Sequence, residues 1–316
     1  MKLPSFFRMP PPHVAVEIAP TRVVAVAVSG TGTSGVKVTG WAVESLPAGA
    51  VVPSLTAVNV TRPADVSAAI GRAWDQLGQR PKRVALIVPD AAAKVSLVKF
   101  QEVPPKASDL EALIKFQIRK AAPFRVEDSQ VSYAPSERSA DGQDYVVVQA
   151  RRDIITEYEQ ACIAAGATPG IVELTTFGLS QCARAAGSDL TGDWLLIHAR
   201  PDGATLAIFR GEHLVFFRHR GADGDGHLGE LVHQTAMYYQ DRLGGRGFSR
   251  VLVGGTPASG LTSPVWLDIQ ARLGVRAEAV EPGPGVTLMS RAPWTPDTME
   301  MATPALGLVL SLCAEG

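Results

Sequence analysis

The first 90 residues of the chain alternate apolar and polar positions in a way that predicts a strand meander. Two alternating stretches flank Ala19-Pro20-Thr21, a segment typical of a tight turn, and a third follows a glycine-rich turn. These predicted strands are residues 14–18, 22–28 and 36–43. Helical spacing between Pro63 and Gly78 predicts a helix, and the continuous apolar run Arg83–Val88 predicts a strand buried on both faces.

Residues 91–168 change the pattern and predict a small α+β unit. Its first helix is expected to begin at a capping box, Ser108-x-x-Glu111, and to end before Pro123. The other predicted elements are a strand at 94–100, strands at 129–133 and 145–150 joined by a polar connection at 137–143, and a helix from Asp153. This unit interrupts the first meander as an insertion.

The second half of the chain repeats the order of elements found in the first. Its predicted elements are strands at 194–199, 204–210 and 214–218, a helix at 228–243, a strand at 251–253 and a helix at 265–273. An order that occurs twice predicts two related lobes. We therefore expect a flexible leader at 1–12, a first lobe at 13–90 and 169–192, an inserted subdomain at 91–168, and a second lobe at 193–316.

Composition narrows the function classes. The 30 Lys+Arg residues and 31 Asp+Glu residues give a formal net charge of −1, so nucleic acid is not an expected partner. The charged fraction of 19% lies below the usual value of about 25%, and the weakly polar surface this implies favours protein partners. Three scattered cysteines, Cys162, Cys182 and Cys313, fit a reducing cytosol. No apolar run approaches the ~20 residues that a membrane-spanning helix needs.

A glycine motif, Gly30-x-Gly32-x-x-Gly35, has the spacing of a dinucleotide-binding loop. Such a loop needs a helix directly after it, because the helix N-terminus receives the pyrophosphate. The residues that follow are strand-like, so the motif predicts a hairpin turn.

A second cluster combines acidic residues and histidines: Asp223, Asp225, His227, Glu230 and His233. Calcium loops need an oxygen ligand where His227 stands, and the helical zinc motif is absent. The cluster predicts a loop before a capped helix. We expect no metal ligands and no catalytic residues in the chain.

Several segments carry a family resemblance in their order and spacing. They are residues 116–128, which read FQIRKAAPFRVED, then 146–155, 164–173, 251–260 and 304–308. Together they resemble the type IV pilus assembly protein PilM family of the actin-like ATPase superfamily, over roughly residues 14–312. The resemblance implies an α/β fold that is actin-like (ribonuclease H-like), with duplicated lobes and a small α+β inserted subdomain.

The resemblance also implies two phosphate-binding loops, and the first departs from the family pattern. That loop reads Asp-x-Gly-[Ser/Thr] and is followed by a lysine in PilM. The matching positions here are Glu17, Ala19, Pro20 and, for the lysine, Val24, with Thr21 beside them. Proline removes an N–H donor and valine removes a cation.

The second loop departs in the same direction. His198 and Arg200 stand where Asp-x-Gly recurs, and only Gly254-Gly255, which matches the adenosine loop, is intact. Loss of metal-ordering carboxylates and phosphate donors removes the charge stabilisation that hydrolysis needs. We therefore expect a pseudo-ATPase with no cofactor. Residual ATP binding through Glu17, Thr21, His198 and the two glycines is left open as an alternative.

The resemblance further implies an interaction protein at the cytoplasmic face of the bacterial inner membrane. It implies docking of the cytoplasmic N-terminal peptide of a bitopic PilN-like protein in a groove between the first lobe and the insertion. We expect the peptide near Phe100, Phe116, Arg119 and Phe124, although ordinary packing of the insertion would also explain these residues. Other pilus assembly components and self-association are further expected contacts.

Two other functions stay open at this point. One is the cytoplasmic domain of a type II secretion GspL-like protein, which shares the actin-like fold. The other is an active actin-like ATPase or small-molecule kinase.

Overall fold

Strands, many of them in consecutive hairpins, and helices make up the fold. The computed structural model describes residues 11–30, 35–187, 190–221, 228–283, 286–289 and 293–315. The strands are β1 (Val14–Ala19), β2 (Arg22–Ser29), β3 (Lys37–Ser45), β4 (Arg83–Val88), β5 (Lys94–Phe100), β6 (Ser129–Ser139), β7 (Gly142–Arg151), β8 (Thr168–Leu174), β9 (Asp193–Arg200), β10 (Gly203–Arg210), β11 (His213–Gly221), β12 (Arg250–Gly254), β13 (Ala277–Ala279) and β14 (Thr287–Leu288). The helices are α1 (Pro63–Leu77), α2 (Ala107–Ile118), α3 (Arg152–Ala164), α4 (Thr175–Ala185), α5 (Leu228–Leu243), α6 (Pro264–Leu273) and α7 (Pro296–Glu315).

The first lobe is a sheet with the strand order β14-β3-β2-β1-β4-β8. The hairpins β1–β2 and β2–β3 are antiparallel, whereas β4 lies parallel to β1 and β8 parallel to β4. Alternate residues of β4 enter different cores: Leu86 packs on the side of α1 and α3, and Ile87 on the side of α7. The continuous apolar run of β4 thus serves a strand buried on both faces, as its sequence predicts.

The second lobe repeats this topology. Its strand order is β11-β10-β9-β12-β13, with antiparallel hairpins among β9 to β11 and parallel pairing of β12 with β9 and β13. Each lobe therefore has the same five-strand order and the same strand directions. The expected duplicated lobes are confirmed.

The inserted subdomain is an antiparallel sheet of order β5-β7-β6 beneath α2. It has a small apolar core of its own, which includes Phe100, Ile114 and Tyr145. The polar segment 137–143, expected as a connection, instead extends both strands: Ser139 pairs with Gly142 across a tight turn. Polar residues are tolerated there because the end of this hairpin is mostly solvent-exposed.

Helix α3 corrects the predicted end of the insertion at residue 168. It packs beside α1 on the first sheet, where its Tyr158 is fully buried. The Glu157 carboxylate accepts the backbone N–H groups of Asn59 at 2.7 Å and Val60 at 2.9 Å. The inserted sheet therefore ends with β7, and α3 belongs to the first lobe.

The end of the chain corrects the predicted second lobe at 193–316. Strand β14 pairs with β3, and α7 covers the first sheet, burying Leu306 and Val309 against Val24 and Ile87. The apolar pattern of α7 predicts a buried helix but does not indicate which of the two sheets covers it. The last segment returns to the first lobe.

Several predictions fall wholly or partly outside the described residues. These are most of the leader at 1–12, Gly32 of the glycine motif, and Asp223, Asp225 and His227 of the acidic cluster. In the ranges that the structure covers, no helix has both the length and the apolar character needed to cross a bilayer.

Candidate functional site

A buried aspartate, Asp90, lies between the two lobes just after β4. Its carboxylate accepts the N–H of Thr176 at 3.0 Å and the hydroxyls of Thr176 at 2.5 Å and Thr205 at 2.8 Å. His198 Nδ1 lies 3.4 Å from the same carboxylate. Burial alone would raise the pKa of Asp90, but the hydrogen bonds from His198 and Thr176 outweigh it and lower the pKa. An ionised carboxylate thus joins the first lobe to His198 and Thr205 of the second.

Arg200 extends this network across the cleft. Its Nε donates to His198 Nε2 at 2.9 Å, and its Nη2 donates to Glu300 Oε1 of α7 at 3.2 Å. Because Nε2 of His198 accepts this bond, the ring proton that faces Asp90 is carried by Nδ1. The chain of contacts Asp90–His198–Arg200–Glu300 therefore joins the second lobe to the first at two points.

Glu17, at the matching position of the first phosphate loop, lies at the side of this network. It is buried, and its Oε1 accepts a hydrogen bond of 3.4 Å from the Thr175 hydroxyl. Glu17 Oε2 and the Nε and Nη2 atoms of Arg22 are buried and have no hydrogen-bond partner among the described residues. Burial lowers the pKa of Arg22, and the nearby Arg200 lowers it further. Thr21, in contrast, is exposed in the turn, so the structure does not place it in the cleft.

The space left at this point is small. The cavity lined by Glu17, Asp90, His198, Arg200 and Thr205 has a volume of about 30 Å³. A cavity of this size has room for ordered water, which needs about 10–15 Å³ by this measure. Within the ranges described, no group of three histidine, cysteine or acidic side chains could hold a metal ion. At this point of the cleft the side chains of His198 and Arg200, bonded to Asp90 and Glu300, take up much of the space between the lobes.

The glycine pair beyond the cleft has a structural role of its own. Gly255 has φ +85°, and a Cβ there would overlap the carbonyl oxygen of Ala199 in β9. Gly254 lies against Leu179 of α4, where a Cβ would also overlap. Beside the pair is a cavity of about 400 Å³, lined by residues that include Pro257, Pro282, Trp294, Met299 and Glu300. The glycines are thus required by the packing between β12, β9 and α4, with or without a nucleotide.

A groove runs between the inserted sheet and the first lobe. A cavity of about 680 Å³ is lined by residues 132–136 of β6, by Glu173 of β8, and by Phe177 and Arg184 of α4. Successive residues of a strand point to opposite faces, so a cavity lined by five consecutive residues lies along the edge of β6. Strand β6 is the last strand of its sheet, and no other strand in the described part of the chain pairs with that edge.

A second cavity continues the groove along β8. It measures about 220 Å³ and is lined by residues 172–174 of β8 together with Gln130 and Ala150 of the inserted sheet. Strand β8 is likewise the outermost strand of the first sheet. The two cavities share Ser132, Val148 and Glu173, so they form one groove with Glu173 at the junction. The groove is bordered by two free strand edges.

Its lining also contains buried polar atoms. Gln181 Oε1 and Arg184 Nε have no hydrogen-bond partner among the residues described. The Nη2 atom of Arg184 donates to the backbone oxygen of Glu212 at 2.6 Å. Leaving buried donors and acceptors unpaired is unfavourable, and a bound polar segment could satisfy both.

The four residues predicted from the sequence to bind the partner do not line this groove. Phe100 is buried in the core of the insertion, with its ring 5.9 Å from that of Tyr145. Phe116 is 67% exposed on α2, and Arg119 stacks over it at 5.9 Å. Phe124 is half-buried just beyond α2. The expected groove exists, but the predicted residues lie elsewhere on the insertion.

Comparison with known proteins shows the family to which the chain belongs. The family model described as "Type IV pilus assembly protein PilM" matches residues 15–241, more than half of the chain. The chain belongs to the PilM family. No curated protein sequence matches it at a significant level.

Three solved structures are similar to this PilM family member to different degrees. The structure of a PilM–PilN type IV pilus biogenesis complex aligns with a TM-score of 0.76 and 16% identity, covering 96% of this chain and 97% of that chain. The cytoplasmic domain of EpsL, an inner-membrane component of the Vibrio cholerae type II secretion system, aligns with a TM-score of 0.49 and 13% identity, covering 93% and 94%. A Bacteroides thetaiotaomicron protein with an actin-like ATPase fold gives 0.46 and 10%, covering 84% and 89%. The first of these alignments, together with the strand order that the two large sheets share, confirms the expected α/β fold with duplicated lobes.

The sequence analysis did not identify two residues of the interlobe network, Asp90 and Glu300. Asp90 follows a buried parallel strand directly, and an acidic residue at the carboxyl end of such a strand is a usable signal. Glu300 offers no local signal, because its partner Arg200 lies in a different lobe. Of the residues predicted from the PilM resemblance, Glu17 and His198 do meet in the cleft, and Gly254 and Gly255 lie beside the neighbouring cavity.

Proposed function

We propose that this chain is a non-catalytic scaffold of a type IV pilus assembly machine. It docks the cytoplasmic N-terminal peptide of a PilN-like inner-membrane protein, and it acts as a peripheral protein on the cytoplasmic face of that membrane. The observation that carries the proposal is the groove between the free edges of β6 and β8. The relative that was solved as a PilM–PilN complex supports the choice of partner.

The groove suits an extended peptide. The seven residues 130–136 of β6 span about 20 Å, six steps of ~3.3 Å, which is enough to pair with a peptide strand of the same length. A peptide added to a free edge gains main-chain hydrogen bonds, and neighbouring pockets select its side chains. Here the pockets would be the cavities on either side of Glu173.

The interlobe cleft supports the non-catalytic part of the proposal. In place of a metal ion and phosphates, the cleft holds the side chains of Arg200 and His198, bonded to Glu300 and Asp90. Opening the cleft for a nucleotide would break these contacts between the lobes. The Arg200 guanidinium at the second loop is already engaged by His198 and Glu300, and Pro20 in the first loop has no N–H to donate to a phosphate.

Fluorescence anisotropy with a labelled N-terminal peptide of the cognate PilN-like protein tests the docking site. We expect micromolar binding by the unmodified chain. Ser132→Trp should weaken binding at least tenfold, because the indole fills the junction of the two cavities. Phe116→Ala should leave the affinity unchanged, since Phe116 lies outside the groove.

Ser108→Trp is the matched control, because it places the same bulk on the exposed surface of α2. Binding that survives Ser132→Trp but is lost in Phe116→Ala would move the site to α2. Absence of binding by the unmodified chain at high micromolar concentration would contradict the proposed function.

A further inference from the structure

Glu173 occupies an unusual position in the groove. Its side chain lies at the junction of the two cavities, where Val148, Val172 and Phe177 supply apolar surface. One carboxylate oxygen, Oε1, accepts the N–H of Leu174 at 3.0 Å. Burial raises the pKa of Glu173 to about 7; the nearby Asp90 carboxylate acts in the same direction, and the bond from Leu174 opposes it.

The charged groups around Glu173 provide no compensating cation. Asp90, just after β4, carries a negative charge that is held by hydrogen bonds within the interlobe network. On α4, Arg184 is bonded to the backbone of Glu212 and stacks over Phe209 at 5.3 Å. Glu212 and His213 line the groove from the turn between β10 and β11, and both are exposed. Among the described residues, no basic group affects the pKa of Glu173.

A docked peptide would remove the water that still reaches this carboxylate. An ionised carboxylate that loses its water is strongly disfavoured unless a cation and hydrogen bonds replace that water. The unpaired Gln181 Oε1 lies in the same cavity and offers a second acceptor to an incoming donor group. The groove is therefore matched to a segment that brings a positive charge to its centre.

Resting on the proposed function, we infer that Glu173 is the specificity residue of the groove and pairs with a lysine or arginine side chain of the docked peptide. The apolar walls accept the neighbouring side chains of that peptide, and the free edges of β6 and β8 hold its backbone. A peptide without a basic side chain at this point binds more weakly.

The pairing makes docking dependent on pH. Glu173 must be ionised to pair with a cation, so binding below pH 7 releases a proton from the free protein. Affinity should rise about tenfold from pH 6 to pH 8, with most of the rise complete just above pH 7, because about nine in ten carboxyls with a pKa near 7 are protonated at pH 6.

Isothermal titration calorimetry at pH 6, 7 and 8 tests the inference. The probe is the N-terminal peptide of the cognate PilN-like protein, acetylated so that its α-amino group does not titrate. A second set of peptides has each basic residue replaced by norleucine. The protein variants are Glu173→Gln, which keeps size and hydrogen bonding, and Glu212→Gln, which removes an exposed carboxylate at the same groove.

We expect Glu173→Gln to weaken binding about tenfold at pH 8 and to flatten the pH profile, with Glu212→Gln unchanged. One norleucine peptide should bind the unmodified chain as weakly as Glu173→Gln does, and should lose nothing further in the variant. Tight binding with an unaltered pH profile in Glu173→Gln overturns the inference and leaves the proposed function standing. Affinity that falls with rising pH also overturns it, because Glu173 would then be donating a proton. No binding by the unmodified chain overturns both.

Discussion

At the scale of residues, two neighbouring carboxyl groups show how surroundings decide protonation. Asp90 is the more deeply buried, yet its hydrogen bonds from Thr176, Thr205 and His198 keep it ionised. Glu173 receives a single backbone hydrogen bond and faces apolar walls, so its pKa rises to about 7. The carboxylate of Asp90 is satisfied by hydrogen bonds within the chain. The carboxylate of Glu173 accepts only the backbone bond at Oε1, so Oε2 can accept a hydrogen bond from a docked peptide.

This difference predicts a stability change in Glu173→Gln. The pKa of Glu173 is higher in the folded chain than the ordinary glutamate value of about 4.3, so the folded state binds the proton more tightly. The protonated Glu173 carboxyl therefore stabilises the folded state. This contribution to the free energy of unfolding is fully present below pH 4 and is lost as the pH rises toward 7. Glu173→Gln should therefore raise the free energy of unfolding at pH 8 by about 2 kcal/mol, after allowance for solvent screening, and should change it little at pH 4.

Urea denaturation at the two pH values measures this effect, with Glu212→Gln as the exposed control. A variant less stable than the unmodified chain at pH 8 would mean that Glu173 has a partner in the free protein. A gain in stability with a loss of peptide affinity would fit a residue retained for binding.

The sequence motifs brought attention to two residues that the structure places in one cavity, although their role in ligand binding stays a prediction. Glu17 and His198 were identified because a superfamily motif places them at two strand ends, and those ends meet in the cleft. Thr21 is exposed in the turn and is not among the residues that line this cavity. The capping box was wrong: α2 begins at Ala107 after Lys106, so Ser108 lies inside the first turn and caps nothing. A short motif is compatible with several local conformations, and the one that forms depends on tertiary contacts.

At the scale of elements, helix α7 shows what periodicity leaves undetermined. Its apolar residues predict burial, but the lobe that receives it depends on contacts with α4 and the first sheet. The same holds for α3, whose apolar face fits α1 rather than the inserted sheet. The strand hairpins and the duplication were predicted from the sequence because hairpins and buried strands are encoded locally.

The contact between α4 and α7 yields a prediction at this scale. A Cβ on Gly307 would overlap the carbonyl oxygen of Gly178, so the two helices need this glycine to approach as closely as they do. Gly307→Ala should lower the free energy of unfolding by about 3 kcal/mol, although alanine is the better helix former.

Gly229→Ala in α5 is the matched control, because its Cβ would meet its nearest neighbour, Asp268, at an ordinary 3.5 Å. Chemical denaturation should find this variant as stable as the unmodified chain or slightly more stable. Equal behaviour of the two variants would mean that α7 is not packed against α4 as described.

At the scale of the whole molecule, the lobes are held together in two ways. Apolar residues of α4, including Leu179 and Cys182, share one core with Trp194 and Leu252 of the second lobe. The polar network from Asp90 to Glu300 closes the cleft at its edge. Family resemblance predicted the two lobes and the altered loops, but the network joins residues far apart in the chain and could be found only in the fold. The two lobes are therefore in contact across the cleft, and the unpaired edges of β6 and β8 lie at the groove beside the insertion.

The most direct test of this account is calorimetric titration of the PilN-like N-terminal peptide into the chain, with and without magnesium and ATP. We predict micromolar binding in both conditions, with dissociation constants equal within about twofold, and no release of phosphate. Binding that requires ATP, or that becomes tenfold tighter with it, would contradict a scaffold whose cleft is closed and would point to a working nucleotide switch.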